Sequence, residues 1–235
     1  MAEAITLQGR RVWLKLYPEG ERALSLGVLA ACARLLGVAA LRPPPHPGGA
    51  RAREVEARRL AQLHAQGVNV PAVLGQGKRC LVLADTGRSL AACLKESDDA
   101  GRDRLVRQVL ADMVAAHRGG ACFGQPLPRN MTWDGTRVAF LDFEEDPLQV
   151  MDLAQAQARD WLLFGHGFAR HYLARREALA ALLAAAFADE PVRVRTILHG
   201  ACRRLSWLGR VAAPLGRSGR ELALAIAVLE QAARA

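Results

Sequence analysis

The hydrophobic pattern of the chain begins with short alternating segments and ends with long helical ones. Two alternating segments about a turn at Gly9 predict a β-hairpin over residues 4–17. One face of its second strand is made by Val12, Leu14 and Leu16. The opposite face is made by Arg11, Trp13, Lys15 and Tyr17. This strand therefore presents a lysine flanked by aromatic residues to one side of the predicted sheet.

Further along the chain, apolar residues at helical spacing predict four helices, over residues 22–40, 51–66, 88–95 and 102–118. Two more strands are expected at 68–74 and 79–83, on either side of a Gly75-Gln76-Gly77 turn. From Leu148 onward the pattern is helical, with breaks near 189–191 and 214–219. Since strands dominate early and helices late, we predict an α+β fold of two lobes with a cleft near residue 85.

A further hairpin is predicted between Asn130 and Asp142. Asp134-Gly135 is a strong turn signal between two short apolar segments. A hairpin returns the chain to its starting edge, so Asn130 and Asp142 are expected to lie side by side. One carboxylate and one amide oxygen, completed by phosphate oxygens and water, form a normal Mg²⁺ shell. The two residues are therefore candidate metal ligands; the alternative is a turn asparagine and a strand-end cap.

Lys15 is a candidate phosphate ligand, because a strand-borne ammonium that faces a cleft acts on phosphates as a point charge. An ordinary exposed strand lysine is the alternative. A buried lysine of this kind needs a carboxylate partner, and the second predicted helix offers Glu54 and Glu56. Glu56 shares a face with Leu60, whereas Glu54 points about 200° away, toward solvent. An inward carboxylate is costly unless it is paired, so Glu56 is the predicted partner of Lys15.

Asp160 lies in the segment QARDWLLFGHGF, on the same helical face as Leu163 and Phe164. A buried carboxylate of this kind is satisfied by accepting backbone N–H groups. We therefore predict that Asp160 supports the loop before the Asn130–Asp142 hairpin and does not react.

The net charge is +9 and the pI is about 10.2, and 29 of the 32 basic residues are arginine. A GC-rich genome explains much of this bias. The segment Pro191–Arg220, however, holds seven arginines and no acidic residue, which suits an anionic partner such as a phosphorylated glycolipid, a membrane surface or nucleic acid. A solvated basic surface is the alternative. Nucleic acid ranks last, because Trp207 is the one aromatic residue of this segment.

The cysteines and the apolar segments favour a cytoplasmic protein. The five cysteines are scattered, with no CxxC pair, which is typical of reduced thiols. Acidic Glu3 and an alternating pattern stand where a signal peptide would have basic and then apolar residues. The most apolar run, Ala23–Leu41, contains Arg34 and two glycines, so a packed or interfacial helix is expected rather than a membrane span. Peripheral association with the inner membrane is compatible with this pattern.

Together these segments resemble the protein-kinase-like superfamily, in particular its small bacterial branch around the lipopolysaccharide-core kinases, such as the Kdo and heptose kinases. The resemblance covers about residues 5–165 and rests on six segments in the family's order: VWLK, REVEARRLAQLHAQGVNVP, CLVLADTG, FGQPLPRN, FLDFEED and ARDWLLF. It implies a small β-rich N-lobe over residues 1–85, a mostly helical C-lobe over residues 86–235, and ATP and Mg²⁺ as cofactors. The matching nucleotide-binding positions are Lys15, Glu56, Leu83, Asp85, Asn130 and Asp142, of which the last two are the metal ligands.

Two departures from the family pattern bear on catalysis. Gln125 stands where the family has its catalytic Asp, five residues before Asn130. Glu144 replaces the glycine that follows Asp142-Phe143 in the common motif. A glutamine cannot take a proton from a hydroxyl, yet it can orient one, and phosphoryl transfer depends mainly on positioning and electrostatics.

We therefore expect an ATP- and Mg²⁺-dependent phosphotransferase whose catalytic set is Gln125, Asp142 and Glu144, with Glu144 or Glu145 receiving the proton. The expected acceptor is a glycolipid or another hydroxyl compound. The alternative is a catalytically impaired pseudokinase that binds nucleotide as a regulatory module. Another nucleotide-dependent transfer, such as adenylylation, and nucleic-acid binding rank below these two.

Overall fold

A four-stranded antiparallel sheet forms from the first third of the chain in the computed structural model, which describes residues 2–20, 33, 35–214 and 216–234. Its strands are β1 (Ala2–Leu7), β2 (Arg10–Leu16), β3 (Val73–Gln76) and β4 (Cys80–Ala84). The order in the sheet is β1-β2-β4-β3, and Lys15 on β2 lies opposite Leu81 on β4. The predicted hairpin about Gly9 is confirmed by the β1–β2 pairing.

Helix α1 (Gly49–Ala65) packs against β4 and matches the helix predicted over 51–66. Its buried face is made by Ala52, Glu56, Arg59, Leu60 and Leu63. The helix predicted over 22–40 lies largely outside the described residues. Ala39–Leu41 forms a 3-10 turn, and the Ala40 carbonyl accepts a hydrogen bond of 3.3 Å from Arg159.

The strand predicted over 68–74 is wrong at its beginning, since β3 starts only at Val73. The preceding residues pair elsewhere: the Asn69 carbonyl accepts from the Phe140 N–H at 3.0 Å, and the Asn69 amide donates to the Val138 carbonyl at 2.8 Å. The turn also lies later than predicted, because the Gly77 N–H donates to the Cys80 carbonyl. Tertiary contacts, which local pattern does not reveal, decide both boundaries.

A second antiparallel sheet has the order β5-β6-β7. Its strands are β5 (Arg88–Ser89), β6 (Met131–Trp133) and β7 (Val138–Phe140). The β6–β7 pair is the hairpin predicted between Asn130 and Asp142, with Met131 opposite Phe140. The two-residue strand β5 was not predicted, because two residues carry no readable alternation.

Six further helices follow: α2 (Leu90–Glu96), α3 (Asp99–Arg118), α4 (Leu153–Ala169), α5 (Arg176–Phe187), α6 (Val192–Ala212) and α7 (Gly216–Arg234). Helix α7 packs against α4, α5 and α6, and α3 packs against α5. The centre of this helical core is α4, whose Trp161, Phe164 and Phe168 are fully buried. Apolar burial of this extent is the main term that stabilises the helical part.

The helical run expected from Leu148 to about residue 188 is divided in the structure into α4 and α5. At the break, the Tyr172 hydroxyl donates to Asp103 of α3 at 2.8 Å, and the Arg175 guanidinium binds the same carboxylate at 2.7 Å. These contacts with α3 hold a segment that has no glycine or proline in a non-helical conformation. The fold class is α+β, as predicted. Among the described helices, none combines the length and the apolar character needed to cross a bilayer.

Candidate functional site

A cleft of about 840 Å³ lies between the two sheets and receives side chains from β2, β4, β6, the middle of α1 and the segment that follows β7. The cleft is lined by six residues that the sequence analysis singled out: Lys15, Glu56, Leu83, Asp85, Asn130 and Asp142. Glu144 lines it as well. These residues are up to about 130 positions apart in the sequence, so the fold brings together the set that was predicted from local patterns and from the family resemblance.

Lys15 is the electrostatic centre of the cleft. Its Nζ lies 2.7 Å from Glu56 Oε2, 2.8 Å from Asp142 Oδ1 and 2.9 Å from Glu144 Oε1. Burial alone would lower the pKa of Lys15, but the three carboxylates together raise that pKa above its ordinary value. Lys15 is therefore a protonated ammonium shared by three carboxylates at neutral pH.

Glu56 is almost completely buried on α1, whereas Glu54 is exposed, as the helical geometry predicts. One carboxylate oxygen accepts from the Tyr17 hydroxyl at 2.7 Å, and the other accepts from the Phe143 N–H at 3.3 Å. Burial raises the pKa of Glu56, and its contacts with Lys15 and Tyr17 oppose that rise. Glu56 thus connects α1, β2 and the segment after Asp142 through one side chain.

Asn130 and Asp142 flank the β6–β7 hairpin and meet at its open end, where the Leu141 N–H donates to the Asn130 carbonyl at 2.9 Å. The Asn130 amide nitrogen donates to the Gln125 carbonyl at 3.1 Å, so its side-chain oxygen is the atom that can accept a cation. Asp142 has φ = 68°, a left-handed conformation that is strained for a residue other than glycine. An amide oxygen and a carboxylate at the two ends of one hairpin fit the oxygen ligands that Mg²⁺ requires.

The loop before Asn130 is held by Asp160 of α4. Its carboxylate accepts from the Phe123 N–H at 2.7 Å and from the Gly124 N–H at 2.6 Å. The predicted structural contact of Asp160 with this loop is therefore present. On the opposite side, Arg59 of α1 donates to the Cys122 carbonyl at 2.7 Å. The loop is fixed from two sides, so the position of Gln125 is set by buried polar contacts.

Gln125 faces an acidic segment. Its side-chain amide nitrogen donates to Glu145 Oε2 at 3.1 Å. His46 Nδ1 lies 3.4 Å from the other Glu145 oxygen, and His46 Nε2 lies 3.7 Å from Glu144. His46 was missed in the sequence, because a single histidine in a Pro- and Gly-rich segment carries no pattern. The site therefore includes a residue from the segment between the 3-10 turn at Ala39–Leu41 and α1.

The end of β4 forms the rim of the cleft. Leu83 is buried, and Asp85 accepts from the Trp13 indole N–H at 2.9 Å. Thr86 and Thr132 share a hydroxyl hydrogen bond of 2.8 Å, which joins this rim to β6. An apolar wall with backbone groups at its edge suits a flat aromatic ring.

No protein-family model matches the chain. The chain is similar to an uncharacterized protein of Haemophilus influenzae, with 27% identity over 139 residues. That match covers 58% of this chain and 50% of the relative, so the chain spans about half the length of the curated relative that it matches. The function is therefore inferred from the geometry of the cleft.

Proposed function

We propose that the protein is an ATP- and Mg²⁺-dependent phosphotransferase of the protein-kinase-like type. In this proposal residues 1–85 form the N-lobe, residues 86–235 form the C-lobe, and the 840 Å³ cleft between the two sheets is the nucleotide site. The observation that carries the proposal is the 2.7 Å ion pair of Lys15 and Glu56 in the cleft that Asn130 and Asp142 also line. A buried lysine–glutamate ion pair beside an amide and a carboxylate provides the cation and the oxygen ligands that phosphoryl transfer needs.

Each part of the nucleotide has a matching surface in the cleft. The apolar wall at Leu83 and the polar rim at Asp85 receive the adenine end, and Lys15 holds the phosphates as a point charge. Asn130 and Asp142 would hold Mg²⁺ through one oxygen each. When bound, Mg²⁺ neutralises the negative charge of the phosphate oxygens.

The residue that receives the acceptor proton is Glu145 in this proposal, and Gln125 orients the acceptor hydroxyl. Glu144 is less suited, because its carboxylate already lies 2.9 Å from Lys15. In the transfer step the acceptor oxygen bonds to the γ-phosphorus while the bond from that phosphorus to the bridging oxygen of ADP breaks. The acceptor proton passes to Glu145, whose carboxylate is already directed at Gln125.

A pseudokinase is the second candidate function, and the identity of residue 125 favours it. A glutamine that donates its amide hydrogen to Glu145 has no basic oxygen on the loop where a kinase carries its catalytic Asp. In this case the same cleft binds ATP and Mg²⁺ and no transfer follows. Both candidates require nucleotide binding, so binding is tested first.

The test is the thermal stability of the protein with and without ATP and Mg²⁺. Wild-type protein at 100 times the Kd is expected to gain about 2.7 kcal/mol, which corresponds to a Tm increase of roughly 5–10 °C for a chain of this size. Asp142→Ala is expected to lose this increase. The matched control is Asp189→Ala, which removes an exposed aspartate paired with Arg118 at 2.8 Å, outside the cleft.

Two results would contradict nucleotide binding at this site. One is the absence of any Tm increase in the wild-type protein at saturating ATP and Mg²⁺. The other is an equal increase in Asp142→Ala and in the wild type, because Asp142 is the proposed metal ligand. A lowered Tm of Asp142→Ala without ligand has no bearing on the result, since the increase is measured against each variant's own baseline.

A further inference from the structure

A second cavity, of about 550 Å³, lies beside the nucleotide cleft on the helical part of the molecule. Its walls come from α2, α4, α7 and the loop that precedes Asn130. The apolar part of the lining includes Ala91, Leu127, Pro128 and Gly167. The polar part is made by Lys95, Arg129, His166, Arg170, His171, Arg217 and Glu221. It combines an apolar floor with a dense set of cations.

The charge of this cavity is strongly positive. Among the residues that the structure describes, four permanent cations line it, and Glu221 is the one carboxylate, already bound to Arg217 at 3.1 Å. Lys95, Arg129 and Arg170 form no side-chain hydrogen bond or ion pair with any of the residues that the structure describes. Unpaired cations that converge on one concavity repel one another, and a bound anion removes that cost.

The lowered pKa of His171 agrees with a positive local field. Burial lowers the pKa of His171 to about 4, and the charges of Arg170 and Arg102 act in the same direction. His171 is therefore neutral at physiological pH and can donate or accept a hydrogen bond within the cavity.

Arg129 connects the two cavities. It lines both the nucleotide cleft and the cationic cavity, and it immediately precedes the proposed metal ligand Asn130. A molecule held by the cationic cavity would therefore extend past Arg129 toward the reactive end of the cleft. This is the position that an acceptor substrate needs.

We propose that the cationic cavity binds a phosphomonoester group of the acceptor substrate, an inference that rests on the proposed phosphotransferase function. A phosphomonoester carries a charge of about −1.5 to −2 and three acceptor oxygens, which suits several convergent cations better than the single charge of a carboxylate does. Guanidinium groups bind such oxygens in pairs, and the lysine adds a point charge. The same chemistry occurs in a phospholipid headgroup and in a soluble phosphorylated metabolite, and the experiment separates these two sources.

The test uses calorimetric titration with inorganic phosphate and with glycerol 3-phosphate, and sedimentation with phosphatidylcholine vesicles with or without phosphatidic acid. The variant is Lys95→Gln/Arg170→Gln, since these two residues line the cationic cavity and not the nucleotide cleft. The matched control is Arg203→Gln/Arg210→Gln, which removes two exposed cations of α6 that line neither cavity. All measurements share one ionic strength, because surface charge is screened by salt.

The wild type and the control are expected to bind the phosphate probe with affinities within a factor of two. The Lys95→Gln/Arg170→Gln variant is expected to bind at least tenfold more weakly. Binding of glycerol 3-phosphate identifies a soluble phosphoester as the source. Binding only to vesicles that contain phosphatidic acid identifies a lipid headgroup.

Three results would overturn the proposal: no binding of any probe by the wild type, equal affinity in Lys95→Gln/Arg170→Gln, or an equal loss in the control pair. The Tm increase with ATP and Mg²⁺ is measured on the same samples. If that increase is absent while phosphate binding depends on Lys95 and Arg170, the phosphotransferase function fails and the anion site remains. If the increase is retained in every variant while phosphate binding does not depend on them, only the anion site fails.

Discussion

Glu145 is the residue on which proposed catalysis depends, because Gln125 has no basic atom and Glu144 is bound to Lys15. Replacing the Glu145 carboxylate by an amide keeps its size and removes the proton acceptor. Glu145→Gln is therefore expected to lower ATP turnover by about 10²–10⁴-fold, the usual contribution of a general base. Turnover is measured as ADP release with water as the acceptor, and the Tm increase with ATP and Mg²⁺ is expected to be unchanged.

The control for this substitution is Glu54→Gln, which makes the same chemical change on the exposed side of α1. Turnover of Glu145→Gln within twofold of the wild type would exclude Glu145 as the proton acceptor. If the wild type binds ATP but shows no turnover with water as the acceptor, the pseudokinase alternative is tested next. In that case Gln125→Asp, which restores a carboxylate on the loop, is the variant expected to create activity.

Single residues were predicted correctly where they lie in a segment with a regular apolar period. The inward direction of Glu56 follows from helical geometry, and its contact with Lys15 agrees with that prediction. Asp160 was assigned by the same reasoning, and it accepts hydrogen bonds from two backbone N–H groups, as predicted. His46 lies in a segment without a period, so its approach to Glu145 could be seen only in three dimensions.

Gly87 determines how closely the rim of the cleft approaches the second sheet. A Cβ at this position would lie 2.4 Å from the Trp133 carbonyl oxygen, and Gly87 has φ = +108°. Gly135 has nearly the same φ, +106°, but a Cβ there meets nothing within 4 Å. Gly87→Ala is therefore expected to destabilise the protein by about 1–3 kcal/mol more than Gly135→Ala, the usual cost of an added methyl group in a packed position.

The measurement is urea denaturation of both variants. Their free energies of unfolding are compared with one common slope of that free energy against urea concentration. Because both substitutions carry the strain of positive φ, the difference between them reports the close approach of Gly87 to Trp133 on β6. Equal losses of stability would show that Gly87 is needed only for its backbone conformation.

Elements fixed by local chemistry were predicted better than elements fixed by distant contacts. The Asp134-Gly135 turn encodes the β6–β7 hairpin in four or five neighbouring residues, and the apolar period encodes α1 and α3. The break between α4 and α5 instead depends on Asp103, about 70 residues earlier in the chain. β5 exists only because β6 pairs with it.

Across the whole molecule, the cleft is assembled from segments that no local pattern connects. Lys15 and Asp142 are 127 positions apart, and their contact at 2.8 Å requires both sheets and α1 to be in place. The sequence supplied the separate residues, and the resemblance to kinases supplied the expectation that they meet. The resemblance gave no corresponding expectation for the cationic cavity, whose residues come from α2, α4, α7 and a loop.

His117 of α3 contacts two buried carboxylates from other parts of the helical core. Its Nδ1 lies 2.8 Å from Glu190 before α6, and its Nε2 lies 3.3 Å from Asp160 of α4. Burial alone would lower the pKa of His117, but the hydrogen bonds and charges of Asp160 and Glu190 raise it from 6.5 to about 9. Since the folded protein binds this proton more tightly than the unfolded chain, the resulting stability is complete below pH 6.5 and is lost as the pH rises to about 9.

We therefore expect the free energy of unfolding to fall by about 3 kcal/mol between pH 6.5 and pH 9, the equivalent of that pKa difference. His171 does not obscure this window, because its pKa of about 4 changes stability only at lower pH. Urea denaturation across pH 6–10 measures the fall, and Glu190→Gln is expected to reduce it, since it removes one of the two charges that raise the pKa of His117. Glu54→Gln, an exposed control, is expected to leave it unchanged. A flat profile in the wild type, or a fall of the same size in Glu190→Gln, would mean that His117 is not held protonated between α3 and α4. Asp160, which also fixes the loop that carries Gln125, would then need another partner for its charge.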